Sequence, residues 1–101
     1  MSVLMVLRLP ADPDKLEEFA AANRDQMGAI AQLAKEHGVI SHRFYGREGE
    51  IMVVDEWESE AGFRAFFEAA SGKIGPMMGE VGVTAEPEPT FWRRLETYDE
   101  V

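Results

Sequence analysis

The chain has 101 residues, no cysteine, a formal net charge of −9 and a hydrophobic fraction of 46%. This length favours a single domain, residues 1–101, with one core. The lack of cysteine excludes disulfides, thiolate catalysis and cysteine-ligated metals. The acidic balance disfavours nucleic acid and anionic membranes as partners. Residues 1–8 lack a basic leader and no apolar run reaches the roughly 18 residues of a membrane span, so we expect a cytoplasmic protein.

The first third of the chain predicts a strand followed by one long helix. Val3–Leu9 is apolar on both alternating faces, which indicates a strand that is covered on both sides. Asp12 is placed as the N-cap of the helix, Pro13 as its first residue and Gly38 as its C-cap. The apolar stripe of this helix recurs with a period of about 3.6 residues and consists of Leu16, Phe19, Ala20, Asn23, Met27, Ile30, Ala31 and Ala34.

The middle of the chain predicts a hairpin of two strands. Val39–Gly46 is the second strand and Ile51–Trp57 the third. The connection Arg47–Glu50 contains a glycine that is free to take a positive φ. The third strand is again apolar on both faces.

The last part of the chain predicts a second helix and a final strand. Ser59 is its N-cap, and its apolar stripe is Phe63, Phe66, Phe67, Ala70 and Ile74. We expect Gly72 and the pair Gly75–Pro76 to break this helix, with a short extra turn after Pro76. Thr90–Tyr98, rich in aromatic residues, is the last strand.

The order β-α-β-β-α-β predicts an α+β, ferredoxin-like fold, in which a four-stranded antiparallel sheet carries two helices on one face. Two strands are nevertheless apolar on both faces, and a protein of this size rarely leaves such a surface in water. We therefore expect a homodimer in which a second copy covers the sheet with two-fold symmetry. The alternative is a monomer whose second face is semi-polar.

Residues 53–61 carry a resemblance to a known family. The run Glu56-Trp57-Glu58-Ser59, followed by the aromatic helix, resembles the E-x-W-E-S signature of the antibiotic biosynthesis monooxygenase family, here without the spacer. The order of elements is similar over nearly the whole chain. The resemblance implies a dimeric α+β barrel with a pocket between the sheet and the helices of each protomer. The family includes monooxygenases that oxidise aromatic polyketides without metal or flavin, haem-degrading enzymes, aldehyde- or quinol-handling members and proteins of no known activity.

The sequence departs from the haem-degrading branch, whose members place a histidine ligand on the second helix. Residues 60–74 contain no histidine. His37 and His42 have no third partner close in sequence, so they form a weak metal set. We therefore expect no metal and no bound cofactor, and a small apolar or aromatic molecule as the ligand.

Cofactor-free oxygenation requires a base that takes a proton from a phenol or hydroquinone in an apolar pocket. Polar residues in the apolar faces are therefore the catalytic candidates, and they are His42, Asn23 and Asp55. Asn23 lies in the helical stripe and either bonds to a nearby protein group or faces the ligand. His42 alternates with Ile40 and Phe44 and is either a proton acceptor or a satisfied or solvent-facing histidine. Asp55 is either a base or the partner of an arginine on a neighbouring strand.

The candidates for substrate binding are Trp57, Arg8, Phe63 and Phe67. Trp57 shares a strand face with Asp55 and either packs in the core or forms an aromatic wall whose indole N–H donates to the ligand. Arg8, the charged residue of the first strand, either pairs with Glu56 or another sheet residue or binds a ligand oxyanion.

Three functions remain open at the level of the sequence. The first is an oxygenase-like enzyme that acts on an aromatic or quinol-type metabolite. The second is a non-catalytic module of the same fold that binds an apolar small molecule, and the third is a protein that uses its barrel only to dimerise. Asn23, His42 and Arg8 favour the first two, because polar groups in apolar faces are typical of ligand sites.

Overall fold

A four-stranded antiparallel sheet is covered on one face by three helices. The computed structural model describes residues 1–83 and 85–101. In chain order, its elements are β1 (Val3–Pro10), α1 (Pro13–Ala22), α2 (Arg24–Glu36), β2 (Val39–Arg47), β3 (Glu50–Trp57), α3 (Glu60–Glu80) and β4 (Thr90–Trp92). The strand order is β2-β3-β1-β4, and all neighbouring strands are antiparallel. The predicted ferredoxin-like α+β fold is confirmed.

The ends of the elements follow the local signals in the sequence. The side chain of Asp12 accepts a hydrogen bond from the first turn of α1, and that of Ser59 accepts one from the first turn of α3. Both are N-caps, which satisfy backbone donors that a helix leaves free. Gly38 (φ +98°) follows the end of α2, and Gly49 (φ +79°) lies in the hairpin between β2 and β3. Only glycine takes such angles without strain.

The prediction of one long first helix is wrong, because the helix is interrupted at Asn23. This residue has φ −131° and ψ 46°, which are not helical values. Its side-chain amide donates to the carbonyl oxygen of Phe19 at 2.9 Å. A short polar side chain competes in this way with the regular helical hydrogen bonds. The break divides the predicted helix into α1 and α2.

The predicted break at Gly72 and Gly75–Pro76 is also wrong. Helix α3 continues through these residues to Glu80. Ile74 and Met77 lie on either side of the proline and are both buried in the core. Their packing offsets the cost of an internal proline, which is about 3 kcal/mol.

The last strand is shorter than predicted, since β4 ends at Trp92 and not at Tyr98. Leu95, Tyr98 and Val101 beyond it are exposed. Residues 93–98 therefore extend past the sheet and are exposed in this protomer, whereas Phe91 within β4 packs against the core.

The sheet has one buried face and one open face. On the buried face, Met5 pairs with Asp55 and Leu7 with Val53, and the helices pack over them. On the open face, Leu4, Tyr45 and Trp92 are 40%, 52% and 58% exposed.

Within residues 1–83 and 85–101, no helix has both the length and the apolar character to cross a membrane.

Candidate functional site

A cavity of about 490 Å³ lies between the buried face of the sheet and the three helices. This volume is typical of small-molecule sites, which range over about 300–1,000 Å³. Most of its wall is aliphatic or aromatic. The aromatic part is built around Trp57, whose ring centroid lies 5.5 Å from that of Phe63 and 5.3 Å from that of Phe66. Phe67 continues this wall, with its ring 5.7 Å from Phe63. The cavity therefore suits a flat apolar ligand.

The mouth of the cavity lies between α2 and the edge strand β2. The residues of these two elements that line the cavity and are also exposed are Ala31, Lys35, Ile40, Ser41 and His42. The pairing of β2 with β3 is irregular between Val39 and Ser41, so that the intervening Ile40 has no partner on β3. Such bulges are common at sheet edges and beside functional sites. Here the bulge leaves Ile40 54% exposed at the rim.

A buried carboxylate forms the polar centre of the site. Asp55 is 4% exposed. Its Oδ1 lies 2.6 Å from Nδ1 of His42, and its Oδ2 accepts a hydrogen bond from the indole Nε1–H of Trp57 at 3.0 Å. We refer to these three residues as the His42–Asp55–Trp57 cluster. All three line the cavity.

The sheet brings the cluster together. Asp55 and Trp57 are two residues apart on β3, so that both side chains point to the buried face. The β2–β3 hairpin pairs Arg47 with Glu50, and the same register places His42 directly opposite Asp55. Side chains that are directly opposite on one face lie within contact distance.

The hydrogen bonds of the cluster determine the state of the histidine. In its ionised form, Asp55 can only accept hydrogen bonds, and Nδ1 of His42 is then the donor of the bond between them. In the neutral imidazole, the lone pair then resides on Nε2. A carboxylate that holds histidine in this tautomer produces a general base and also stabilises the imidazolium that forms when the base takes a proton. The bonds from His42 and Trp57 compensate the burial of the Asp55 charge.

Five of the seven residues predicted for the site line this cavity, and they are His42, Asp55, Trp57, Phe63 and Phe67. The indole N–H of Trp57 is used within the protein and does not point to a ligand as one reading of the sequence had it. The partner of Asp55 is a histidine and not the arginine considered from the sequence.

Asn23 does not line the cavity, although its place in the apolar stripe predicted a polar group beside a ligand. It is half-buried, and its amide is bonded to the backbone of Phe19. Of the two alternatives, the structure shows the bond to a nearby protein group, here the carbonyl oxygen of Phe19. Any catalytic role for Asn23 is therefore left without geometric support.

Arg8 lies on the open face of the sheet, away from the cavity. Its guanidinium donates two hydrogen bonds to the carboxylate of Glu50, at 2.9 and 3.1 Å. The hydrogen bond from Arg8 lowers the pKa of Glu50, and the pKa of Arg8 is raised by the same bond. Both residues line a separate surface pocket of about 320 Å³, together with Tyr45 and Arg47. Arg8 is thus an ion-pair partner within the sheet.

Lys35 lines the cavity but was not predicted from the sequence. A lysine in the last turn of a helix is typical, because it complements the negative end of the helix dipole. Its position therefore gave no indication that Lys35 lies beside a cavity. Among the cavity-lining residues that the structure describes, it is the sole lysine or arginine. In the described part of the chain, no group of three or more histidine, aspartate or glutamate side chains is arranged to hold a metal ion.

Comparisons with known proteins agree with this fold. The family model described as antibiotic biosynthesis monooxygenase matches residues 2–71. A monooxygenase from the gene ActVA-Orf6 of Streptomyces coelicolor, solved in complex with nanaomycin D, superposes with a TM-score of 0.68, 20% identity and coverage of 95% of this chain and 89% of that one. SnoaB, a cofactor-independent oxygenase from Streptomyces nogalater, gives a TM-score of 0.62, 15% identity and coverage of 98% of both chains.

A dimeric ferredoxin-like protein from an uncultured marine organism gives a TM-score of 0.67 and 15% identity, with coverage of 99% of this chain and 93% of that one. At these identities the superpositions establish the fold alone. A comparison with curated proteins gave no match.

Proposed function

Because the chain belongs to the antibiotic biosynthesis monooxygenase family, we propose that it is a cofactor-independent oxygenase that acts on an aromatic or quinol-type small molecule. The observation that carries this proposal is the His42–Asp55 pair, an imidazole bonded to a buried carboxylate in a mainly apolar cavity. The fold shared with a cofactor-independent oxygenase supports it.

In the proposed reaction, Nε2 of His42 takes the proton of a phenolic or enolic hydroxyl of the substrate. Asp55 stabilises the imidazolium, and Trp57 holds the carboxylate in place. The electron-rich anion reacts directly with oxygen to form a peroxide on a ring carbon. The C–H bond of that carbon and the O–O bond then break: one oxygen atom stays on the carbon as a carbonyl, and the other takes the C–H proton and leaves as water, so the substrate supplies all the electrons that reduce oxygen. The imidazolium returns its proton to the departing oxygen.

The second candidate is a binding module without catalysis. One observation favours it: both oxygens of Asp55 and the indole N–H of Trp57 already have partners within the protein. Only Nε2 of His42 is then left in the cluster to act on a ligand. Binding of an aromatic molecule without any oxygen uptake would identify this function.

Oxygen uptake with a panel of hydroquinones and anthrones tests the enzymatic proposal. We expect uptake by the wild type, and a rate reduced by about 10²–10⁴ in the His42→Gln variant, which is the usual contribution of a general base. His37→Gln is the matched control, because His37 bonds to the carbonyl of Leu33 at the end of α2 and does not line the cavity. Equal rates in the two variants would exclude His42 as the base.

We further propose a homodimer that is formed through the open face of the sheet. Leu4, Tyr45 and Trp92 would be covered there, and the dimeric state of one structural neighbour supports this arrangement. Light scattering at micromolar concentration should give twice the protomer mass. Tyr45→Glu places a charge in this face and should shift the mass towards the monomer, whereas Gln32→Glu, which adds the same charge on the exposed side of α2, should not. A monomeric wild type would contradict the proposal.

A further inference from the structure

We propose that the cavity selects aromatic ligands that carry an anionic oxygen, and that Lys35 binds this oxygen at the mouth. The inference rests on the proposed function, because it assigns a substrate class to the same cavity. The ligand would be an apolar ring system with a carboxylate, sulfonate or phenolate group at its edge.

The position of Lys35 is the first support. It lies in the last turn of α2, is exposed, and lines the mouth together with Ile40 and His42. A ligand whose rings occupy the aromatic wall would therefore present its edge to the ammonium group. A lysine on any face of the last turn would complement the helix dipole equally well, so the dipole does not explain why this one lies against the cavity.

The charges around the cavity are the second support. The ion pairs within the described residues engage Arg8, His42, Arg47, Arg64 and Arg94, and none of them involves Lys35. The carboxylate that lines the cavity, Asp55, is turned to its partners in the cluster. In the described part of the chain, Lys35 thus lies at the mouth without an ion-pair partner.

The overall charge acts against anionic ligands at long range, since the molecule has a net charge of −9. Close to the mouth, Lys35 offsets this repulsion for an anionic group and repels a cationic one. The apolar wall adds affinity for rings of any charge, so the ammonium decides between a charged ligand and its neutral counterpart.

A matched pair of fluorescent probes tests the inference. Anilinonaphthalene sulfonate and its uncharged parent N-phenylnaphthylamine share one ring skeleton and differ in the sulfonate. Both would be titrated into the wild type, Lys35→Gln, Lys35→Arg and the control Lys15→Gln, whose side chain is exposed on α1 outside the cavity. No turnover is needed, so the result is independent of whether the protein is an oxygenase.

We expect Lys35→Gln to weaken binding of the sulfonate by roughly fivefold and to leave the neutral probe unchanged, as the loss of one partly exposed charge pair predicts. Lys35→Arg should retain the sulfonate affinity, and added salt should weaken the sulfonate alone. Equal effects on both probes, or an equal loss in Lys15→Gln, would overturn the role of Lys35. If neither probe binds the wild type, the cavity does not bind aromatic molecules of this size, and the inference is refuted.

Discussion

Replacing Asp55 tests how the cluster is held together. In Asp55→Asn, the amide has the shape of the carboxylate but offers one acceptor and one donor group. The oxygen can still accept from the buried indole of Trp57, and the amide NH₂ then faces Nδ1 of His42. To preserve that contact the imidazole must reverse its tautomer, and Nε2 becomes protonated. In Asp55→Ala, both partners of the carboxylate are lost.

The contacts of Asp55 give the expected change in the free energy of unfolding for each variant. In Asp55→Asn, two hydrogen bonds to a charged acceptor become neutral, at a cost of about 1 kcal/mol each, and part of this is offset because an amide is easier to bury than a carboxylate. We expect a net loss of about 1 kcal/mol in the free energy of unfolding. In Asp55→Ala, the fully buried N–H of Trp57 has no acceptor and a void is left, which predicts a loss of about 3 kcal/mol. The bond to His42 counts for less, because that side chain is 41% exposed.

Two measurements follow from this reasoning. Urea unfolding at one fixed protomer concentration gives the two stability changes. Nitrogen-15 NMR of His42, at a pH where the imidazole is neutral, identifies the tautomer, with the proton on Nδ1 in the wild type and on Nε2 in Asp55→Asn. A wild type protonated on Nε2, or an alanine variant as stable as the asparagine variant, would refute the proposed arrangement.

Other predictions concern the packing of α3 and the open face of the sheet. A Cβ built on Gly62 would lie 2.5 Å from the backbone oxygen of His37, so Gly62→Ala should lower the free energy of unfolding by about 1–3 kcal/mol. At Gly72 a Cβ would meet nothing within 4 Å, so Gly72→Ala should raise the free energy of unfolding by about 0.5–1 kcal/mol. Urea unfolding of both variants checks this, and a stabilised Gly62→Ala would contradict it. Because Arg8 lowers the pKa of Glu50 in the folded state, the contribution of this carboxylate is present above its unfolded pKa and is lost as the pH falls through the folded one. Glu50→Gln should therefore lower the Tm near neutral pH and not in acid, and an equal change at both pH values would count against the ion pair.

The order of elements could be predicted because each element carries its own local signal. The caps at Asp12 and Ser59 and the glycine at position 38 set boundaries that depend on a few neighbouring residues. The errors arose where tertiary packing outweighs such signals. Pro76 reads as a break in isolation, but the burial of Ile74 and Met77 on either side keeps the helix intact.

The site was predictable only in part, because some of its contacts join residues that are distant in the sequence. Asp55 and Trp57 share a face because they are two residues apart, and this can be read from the sequence. The contact of His42 with Asp55 follows from the register that the short β2–β3 hairpin sets, but the sequence alone did not show that the two side chains would bond to each other. Asn23 was proposed as a catalytic residue, because a polar residue in a helical stripe can either face a ligand or bond to a nearby protein group, and the sequence does not distinguish the two. Lys35 was missed because its position at a helix end is common in any soluble protein.

Labelling with ¹⁸O₂ tests most directly whether the His42–Asp55 pair makes this cavity an oxygenase site. The protein would be supplied with the hydroquinone or anthrone that supports the fastest oxygen uptake, and the product analysed by mass spectrometry for the wild type and for His42→Gln. We predict one labelled oxygen atom in the product of the wild type, at a rate that falls by about 10²–10⁴ in the variant. Label at the background level with the wild type, or the same rate of labelling in both proteins, would contradict the proposed function.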